Sequence, residues 1–552
     1  MGAPSTGVVS SDAATAVDAA QSMSGSRLGA RIIPLLVVVG TAAVAAWAIE
    51  PWPVGVFQDD GLYAILGKAI ASGEGFRYLN LPDAPAATHY PPGYPLVLAM
   101  LWRLFPAFPA NTAVFLFANV GFLCLTATGA WHFGQRRLGL SSGSAAAAAL
   151  ATVTCVPTLT FGVFLLSEPL FMALLFPALL AGERAVDSSS PRDAGVAGLL
   201  AGVLAMVRTM GVWVGVALVL VLLLRRRFAA AGAALAGAAL TLVPWQIWVA
   251  VHAGDVPPVI WGKYGSYSGW LSSAISTEGP MFVVRVFWKN LGVLRATVWE
   301  MLGAPEASSS VALIIATGAA VAVVAVLAVG SRHWVRRAPV TVCFVALYLA
   351  IVMVWPFEPT RFVWAVLPLI GLATAVAARS VIQWRPNVAS ARTLRLAAMA
   401  LMLLVATGYT VYNVRGFANR AWTTGPRVFA GRASPLVDWV RRATRPGDLL
   451  ATDDDALVHL YSGRRTIPVG TFTPQEYLEG QSYDFATGQL ELLMREFRPR
   501  YVLCGSAHCA MAARNLSLRE PPLLRLVTPL ERGVVFESVA TSFAHGAHPR
   551  TP

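Results

Sequence analysis

Three runs of this chain, Ile32 to Ile49, Val311 to Val329 and Val363 to Ala378, carry no charged side chain at all. Each approaches or reaches the roughly 20 residues that a helix needs to cross a bilayer. Inside lipid the backbone has to satisfy its own hydrogen bonds, so these runs are read as helices. Composition points the same way. Of 552 residues, 56% are hydrophobic and 13% charged, which is too apolar for an ordinary soluble domain.

The fold class expected is mainly α, a polytopic bundle of about eleven transmembrane helices with a small α/β domain at the C-terminus. The spans fall near 32–49, 111–133, 143–158, 164–182, 194–208, 211–224, 228–250, 309–330, 338–355, 362–378 and 395–412. The formal charge of +13 does not indicate nucleic acid, because the arginines sit in short clusters between apolar spans. Arg136-Arg137, Arg184 with Arg192, Arg225 to Arg227, Arg332 with Arg336-Arg337, and Arg379 through Arg395 all fall on one side of the membrane. By the positive-inside rule that side is cytoplasmic.

That parity puts the outer loops 50–110 and 251–308, and everything after about residue 415, on the extracytoplasmic face. Residues 1–30, rich in Ser and Ala, are expected as a disordered cytoplasmic N-terminus that is a poor secretory signal. A transmembrane domain then covers 31–415 and an extracytoplasmic α/β domain 425–552. In the first outer loop, Tyr94 to Phe105 is apolar but too short to cross, and is read as an interfacial helix. The second loop carries Trp261, Tyr264, Tyr267, Trp270, Trp288 and Trp299, aromatics suited to the headgroup level. In the last segment Asp448-Leu-Leu-Ala-Thr and Tyr501 to Cys504 read as strands, and Asp455 to Tyr461 as a helix. Asp453-Asp454-Asp455 is explained by helix capping and the macrodipole. Cys124, Cys155 and Cys343 read as buried filler; whether Cys504 and Cys509 pair stays open.

The chemistry-bearing stretch is Phe57-Gln-Asp-Asp-Gly-Leu-Tyr63, followed by His89-Tyr-Pro-Pro-Gly-Tyr-Pro95. A carboxylate just outside the first span can take the proton of an attacking hydroxyl. With phosphate as the leaving group no acid is needed, unlike a glycosidase, which needs a second carboxyl across the scissile bond. An isolated Asp-Asp pair at a membrane boundary would be read as merely solvated. The arrangement Asp-Asp-x-x-Tyr after the first span, then Tyr-Pro-Pro-Gly-Tyr-Pro, resembles the GT-C glycosyltransferases, in particular the aminoarabinose transferase and protein O-mannosyltransferase group. The resemblance covers mainly residues 30–210 and 340–370.

It implies that Asp59 matches the family's catalytic base. Asp60 stands where relatives more often carry Glu, which leaves separate roles for the two acids undecided. Tyr63 matches an aromatic position that could pack on a sugar ring, or it is an interfacial anchor. Glu168, in Ser167-Glu168-Pro169, either caps a helix or points toward the cavity, where the family often has a Ser/Thr-acid pair. Arg361 lies at the outer start of a helix, where the dipole disfavours a cation, so it needs a negative partner. Glu358 could serve. A lipid phosphate matches a guanidinium bidentately, and relatives carry an Arg-aromatic pair at this place. Arg208 belongs at the surface or in a polar cavity, because charge at mid-bilayer is costly. Lys263, Arg285 and Lys289 could hold anionic headgroups, with snorkelling to bulk lipid as the other reading. His89 is a candidate phosphate or metal contact. No His/Cys/acid cluster commits the chain to a metal, and a divalent metal cofactor is left open.

The reading is an inverting glycosyltransferase of a bacterial-type plasma (inner) membrane. A polyprenyl-phosphate sugar donor enters from membrane lipid, and the acceptor is a glycan, lipid or protein hydroxyl. Asp59 deprotonates that hydroxyl and Arg361 receives the departing phosphate. The rivals are a transporter or flippase of lipid-linked saccharides and a non-catalytic assembly protein. Transport would call for broken polar helices at the midplane in two related halves, and neither stands out.

Overall fold

The structure, a computed structural model, describes residues 32–302 and 310–539. The expectations for residues 1–30 and for the end of the C-terminal segment lie outside the described residues. A helix stands in each apolar run. Among the described residues five are long and apolar enough to cross a membrane: Thr112–Arg136, Glu168–Ser188, Phe228–Val251, Val311–Arg337 and Ala389–Ala418. Ser142–Val153 and Val156–Gly162 make a sixth candidate, bent by 57°. The bend falls where Pro157 enters, since a proline lacks the amide hydrogen needed to continue the preceding helix. Ile32–Ala48, Gly93–Leu104, Thr209–Leu224, Pro339–Val354 and Leu367–Gln383 are apolar but shorter. Among the described residues length and apolarity alone thus give five or six spans, and a count of about eleven needs the shorter apolar helices to cross as well.

The basic loops gather at one end of the bundle. Arg137 pairs with Asp187 at 2.6 Å, Arg184 with Asp193 at 3.6 Å, and Arg379 donates to the Gly139 carbonyl. Glu168 and Arg208 lie at the opposite ends of the helices Glu168–Ser188 and Pro191–Val207. At 1.5 Å per residue, a helix of 21 residues separates the two ends by roughly 30 Å.

The second long segment between apolar spans is helical over Trp261–Tyr264, Tyr267–Glu278 and Met281–Met301. Its aromatics divide. Trp288 is 63% exposed, as a headgroup anchor would be, whereas Tyr264 and Trp270 are buried against protein. The Trp270 indole donates to the Phe472 carbonyl at 2.9 Å. Arg285 pairs with Glu278 and Glu479, and Lys289 donates to the Tyr477 carbonyl, so both cations have protein partners.

The C-terminal segment forms a five-stranded sheet in the order β2-β1-β3-β5-β4. Its strands are β1 (Leu449–Thr452), β2 (Arg465–Pro468), β3 (Tyr501–Cys504), β4 (Leu524–Leu530) and β5 (Gly533–Ser538). β1 is parallel to β2 and β3, while β5 runs antiparallel to β3 and β4. All four residues of the central β3 are buried, as expected for a strand covered on both faces. Cys504, ending β3, is disulfide-bonded to Cys509 in the next helix.

This sheet domain is docked on the segment that follows the helix Ile32–Ala48. The Val54 amide donates to the Tyr461 hydroxyl at 3.1 Å, and the Thr466 amide to the Asn80 carbonyl at 2.7 Å. Gly55 has φ +105°, and an added Cβ would stand 2.6 Å from Leu457 Cβ. Only glycine satisfies both the left-handed backbone and the close approach.

Candidate active site

Four sequence-distant segments deliver charge to one place. Asp59 opens the helix Asp59–Ala71, Glu168 opens Glu168–Ser188, Arg208 follows Pro191–Val207, and Arg361 lies in the short helix Pro359–Trp364. Arg361 Nη1 is 2.6 Å from Asp59 Oδ2, and its Nε is 2.6 Å from Glu168 Oε1. Arg208 Nη1 lies 2.8 Å from that same Glu168 oxygen and 3.0 Å from Ser167 Oγ. The Arg208 side chain is 11% exposed and that of Glu168 3%. Two carboxylates and two guanidinium groups thus share a largely desolvated space, where such pairs hold only if geometry and hydrogen bonds compensate the lost water.

Compensation here is incomplete. Among the described residues Arg361 Nη2, Arg208 Nε and Glu168 Oε2 are buried and have no hydrogen-bond partner. Buried polar atoms are almost always satisfied, so three orphans in one cluster mark capacity held for something else. Arg361 also lies over the Phe161 ring and Arg208 over the Phe362 ring, with guanidinium carbons 5.7 and 5.8 Å from the centroids.

The structure brings together Asp59, Tyr63, Glu168, Arg208 and Arg361. Glu358 is not the partner of Arg361; its carboxylate instead accepts from Thr360 Oγ1 at 3.2 Å. Glu168 makes no side-chain capping bond, because its carboxylate is drawn to the arginines. Tyr63 is not an interfacial anchor. It is 3% exposed, its hydroxyl is 3.0 Å from Ser167 Oγ, and its ring packs on Tyr90 and Tyr94.

Three other candidates are placed differently. Asp60 points away from Asp59, accepting the Gly55 and Phe57 amides at 2.8 and 3.0 Å and so folding the loop in front of its own helix. Burial pushes its carboxyl up to about 7 against the pull of those backbone donors. Lys263, expected at a phosphate, is buried in an ion pair with Asp455, which also accepts from Tyr264. His89 is tied through Nδ1 to the Gly265 carbonyl, its ring 4.0 Å from that of Tyr267. Burial holds its imidazole below its usual range.

Sequence reasoning missed Tyr90 as a partner of Asp59: its hydroxyl donates to Oδ1 at 2.7 Å. The signal was its place in His89-Tyr-Pro-Pro-Gly-Tyr-Pro. An added Cβ on Gly93 would stand 2.6 Å from the Met206 carbonyl oxygen, so the Pro-rich turn packs at Gly93 directly against the segment that ends in Arg208. Burial works to raise the Asp59 carboxyl, but the Arg361 charge and the Tyr90 hydrogen bond outweigh it and hold it below its ordinary value.

The acidic triad is not explained by capping. Asp453 accepts the Gly505 and Ser506 amides at 2.7 and 2.9 Å, Asp454 pairs with Arg432 at 3.0 Å, and Asp455 is held by Lys263. A cavity of about 250 Å³ separates these residues from Gly55 to Gln58, the stretch that leads into Asp59. Among the described residues no group of three or more His, Cys, Asp or Glu side chains is gathered as a metal-binding set.

These features define an integral membrane protein, mainly helical, with a buried carboxylate–guanidinium cluster beside a small C-terminal sheet domain. Its fold is similar to that of ArnT. The structure of ArnT from Cupriavidus metallidurans bound to undecaprenyl phosphate superposes with a TM-score of 0.50 at 14% identity. The apo structure of the same protein gives 0.52 at 16% identity. Each comparison covers 93% of this chain and 99% of the other. No family profile matches the sequence, and no curated protein does.

Proposed function

We propose that the chain is a glycosyltransferase that moves a sugar from a polyprenyl-phosphate-linked donor to an acceptor hydroxyl, with inversion, on the extracytoplasmic face of a bacterial-type plasma membrane. The observation that carries this reading is the 2.6 Å contact of Arg361 with Asp59 combined with the unpartnered Nη2 of the same guanidinium. One group adjoins the base and still has a donor to offer a phosphate, matching its bidentate preference. The undecaprenyl phosphate bound to an ArnT of the same fold supports a lipid phosphate as the ligand.

In this mechanism the donor lies with its phosphate against Arg361 and Arg208, and Asp59 takes the acceptor proton as the acceptor oxygen attacks the anomeric carbon. The guanidinium groups stabilise the charge left on the phosphate. Glu168 fixes both cations, and Asp60 shapes the loop. The domain reading that accompanies this is a cytoplasmic segment before residue 31, a membrane domain to about 415 counting the shorter helices as crossings, and an extracytoplasmic domain from about 425.

The test is transfer by the purified full-length chain from labelled polyprenyl-phosphate sugars to added acceptors. Asp59→Asn should lower transfer by about 10²–10⁴-fold, the usual contribution of a general base, while the protein still inserts and purifies. Retained activity would remove Asp59 from the mechanism. Movement of intact lipid-linked saccharide without release of sugar would favour the transporter.

A further inference from the structure

We infer that Tyr90 is a positioning residue for Asp59, and that the donor's phosphate, by drawing Arg361 away from Asp59, releases this carboxylate to act as base. The inference rests on the glycosyl-transfer reading. Both oxygens of Asp59 are engaged: Oδ1 by the Tyr90 hydroxyl at 2.7 Å and Oδ2 by Arg361 Nη1 at 2.6 Å. A carboxylate held by a guanidinium and a phenol is charge-stabilised, and so is a poor acceptor for an acceptor's proton. Each oxygen keeps a second lone pair, but opening one of these two bonds makes the carboxylate a stronger base.

Geometry decides which. The Tyr90 ring is 5% exposed and lies between Tyr63 and His89, with centroids 4.8 and 4.6 Å away, so it is fixed. Arg361 instead divides its donors among Asp59, Glu168 and no partner at all, and Nη2 is free to seize a phosphate oxygen first. The two arginines balance the charges of Asp59 and Glu168. A phosphodiester entering this neutral quartet adds one negative charge and competes with Asp59 for Nη1, raising the proton affinity of Asp59 as the donor arrives.

Among the other titratable neighbours Asp60, turned to the Gly55 and Phe57 amides, also titrates in this range with its carboxyl raised to about 7, so the binding experiment is repeated in an Asp60→Asn background; Glu168 stays paired with Arg208. His89 is tied to the Gly265 carbonyl, and the buried Tyr63 and half-buried Tyr267 keep their protons in the range where Asp59 titrates. In the transfer the acceptor O–H proton passes to Asp59 Oδ2, and the acceptor oxygen bonds the anomeric carbon. The anomeric C–O bond to phosphate breaks with its electron pair left on the phosphate. Total charge is unchanged, and Tyr90 keeps Oδ1 in place throughout.

The experiment measures binding of undecaprenyl phosphate, the lipid product of such a reaction, to the full-length protein in nanodiscs across the acidic to neutral range. Asp59→Asn reports the titration of the lipid itself. Wild type should show additional tightening as pH falls, up to about tenfold per pH unit for one coupled proton. Tyr90→Phe should move that window upward by about one pH unit, because a donor to the charged carboxylate is lost. 3-Fluorotyrosine at position 90, a stronger donor of nearly the same size, should move it downward and covers the case in which the phenylalanine variant does not fold. Identical pH dependence in wild type and Asp59→Asn would overturn the release of the base. A window that ignores both changes at position 90, with binding weakened equally at every pH, would reduce Tyr90 to packing. Both results leave the glycosyltransferase reading standing. Absence of any lipid binding by the wild type would sink that reading and this inference together.

Discussion

Two acidic clusters, one at the ends of the membrane-domain helices and one in the sheet domain, differ in what they leave unused. In the Asp453-Asp454-Asp455 turn each carboxylate has a partner in another element: the Gly505–Ser506 turn, Arg432, and Lys263 with Tyr264. Around Asp59 and Glu168 the arginines bind the acids, yet donors and an acceptor remain over. Charge density alone therefore does not mark the reactive place. Unspent hydrogen-bonding capacity in a desolvated cluster does, because a saturated one has nothing left for a ligand.

The largest expected effect breaks the saturated cluster. Lys263→Met leaves the wholly buried Asp455 without its cation, and should cost about 3–5 kcal/mol in the docking of the sheet domain. Thermal unfolding and limited proteolysis near residues 453–466 would read it. Adding Asp455→Leu should restore most of the loss, whereas a double variant as weak as the single one would mean that the pair does more than neutralise itself.

Next comes the unsaturated cluster. Arg361→Lys keeps the charge but loses the fork that touches Asp59 and Glu168 together, so transfer should fall by about 10²–10³-fold. The companion change Arg432→Lys should leave transfer nearly unaltered. Equal losses in both would erase the distinction between the clusters.

A smaller effect appears on the pH axis. The folded Asp60 carboxyl, raised to about 7 from 3.8, binds its proton more tightly than in the unfolded chain. Stability of the loop should therefore fall as pH rises from about 4 to about 7 and level off above. In Asp60→Asn that slope should vanish from the melting curves; its persistence would place the titration elsewhere. Least is expected of Asp454→Asn, whose pair with Arg432 is partly solvated, at below about 1 kcal/mol.

Some of the site was legible in advance. The Asp-Asp-x-x-Tyr and Pro-rich stretches located Asp59, and the helix dipole showed that Arg361 needed an anion. The dipole could not say which one. Glu358, three residues away, was as good a candidate as Glu168, 193 residues away. Lys263 was misplaced for a related reason: nothing along the chain ties it to Asp455, its partner 192 residues on.

The sequence by itself determined that lipid is the main solvent, that helices fill it, that basic loops share one end, and that a β-bearing segment follows the last apolar run. These are properties of windows of ten to twenty residues, where hydropathy and hydrogen-bond satisfaction act locally. Only the tertiary structure decided which guanidinium meets which carboxylate, which acid is saturated, and that Tyr90 reaches Asp59. Coulombic and hydrogen-bond energies depend on ångström distances in a desolvated space, and those distances are set by helix ends that meet from opposite parts of the chain.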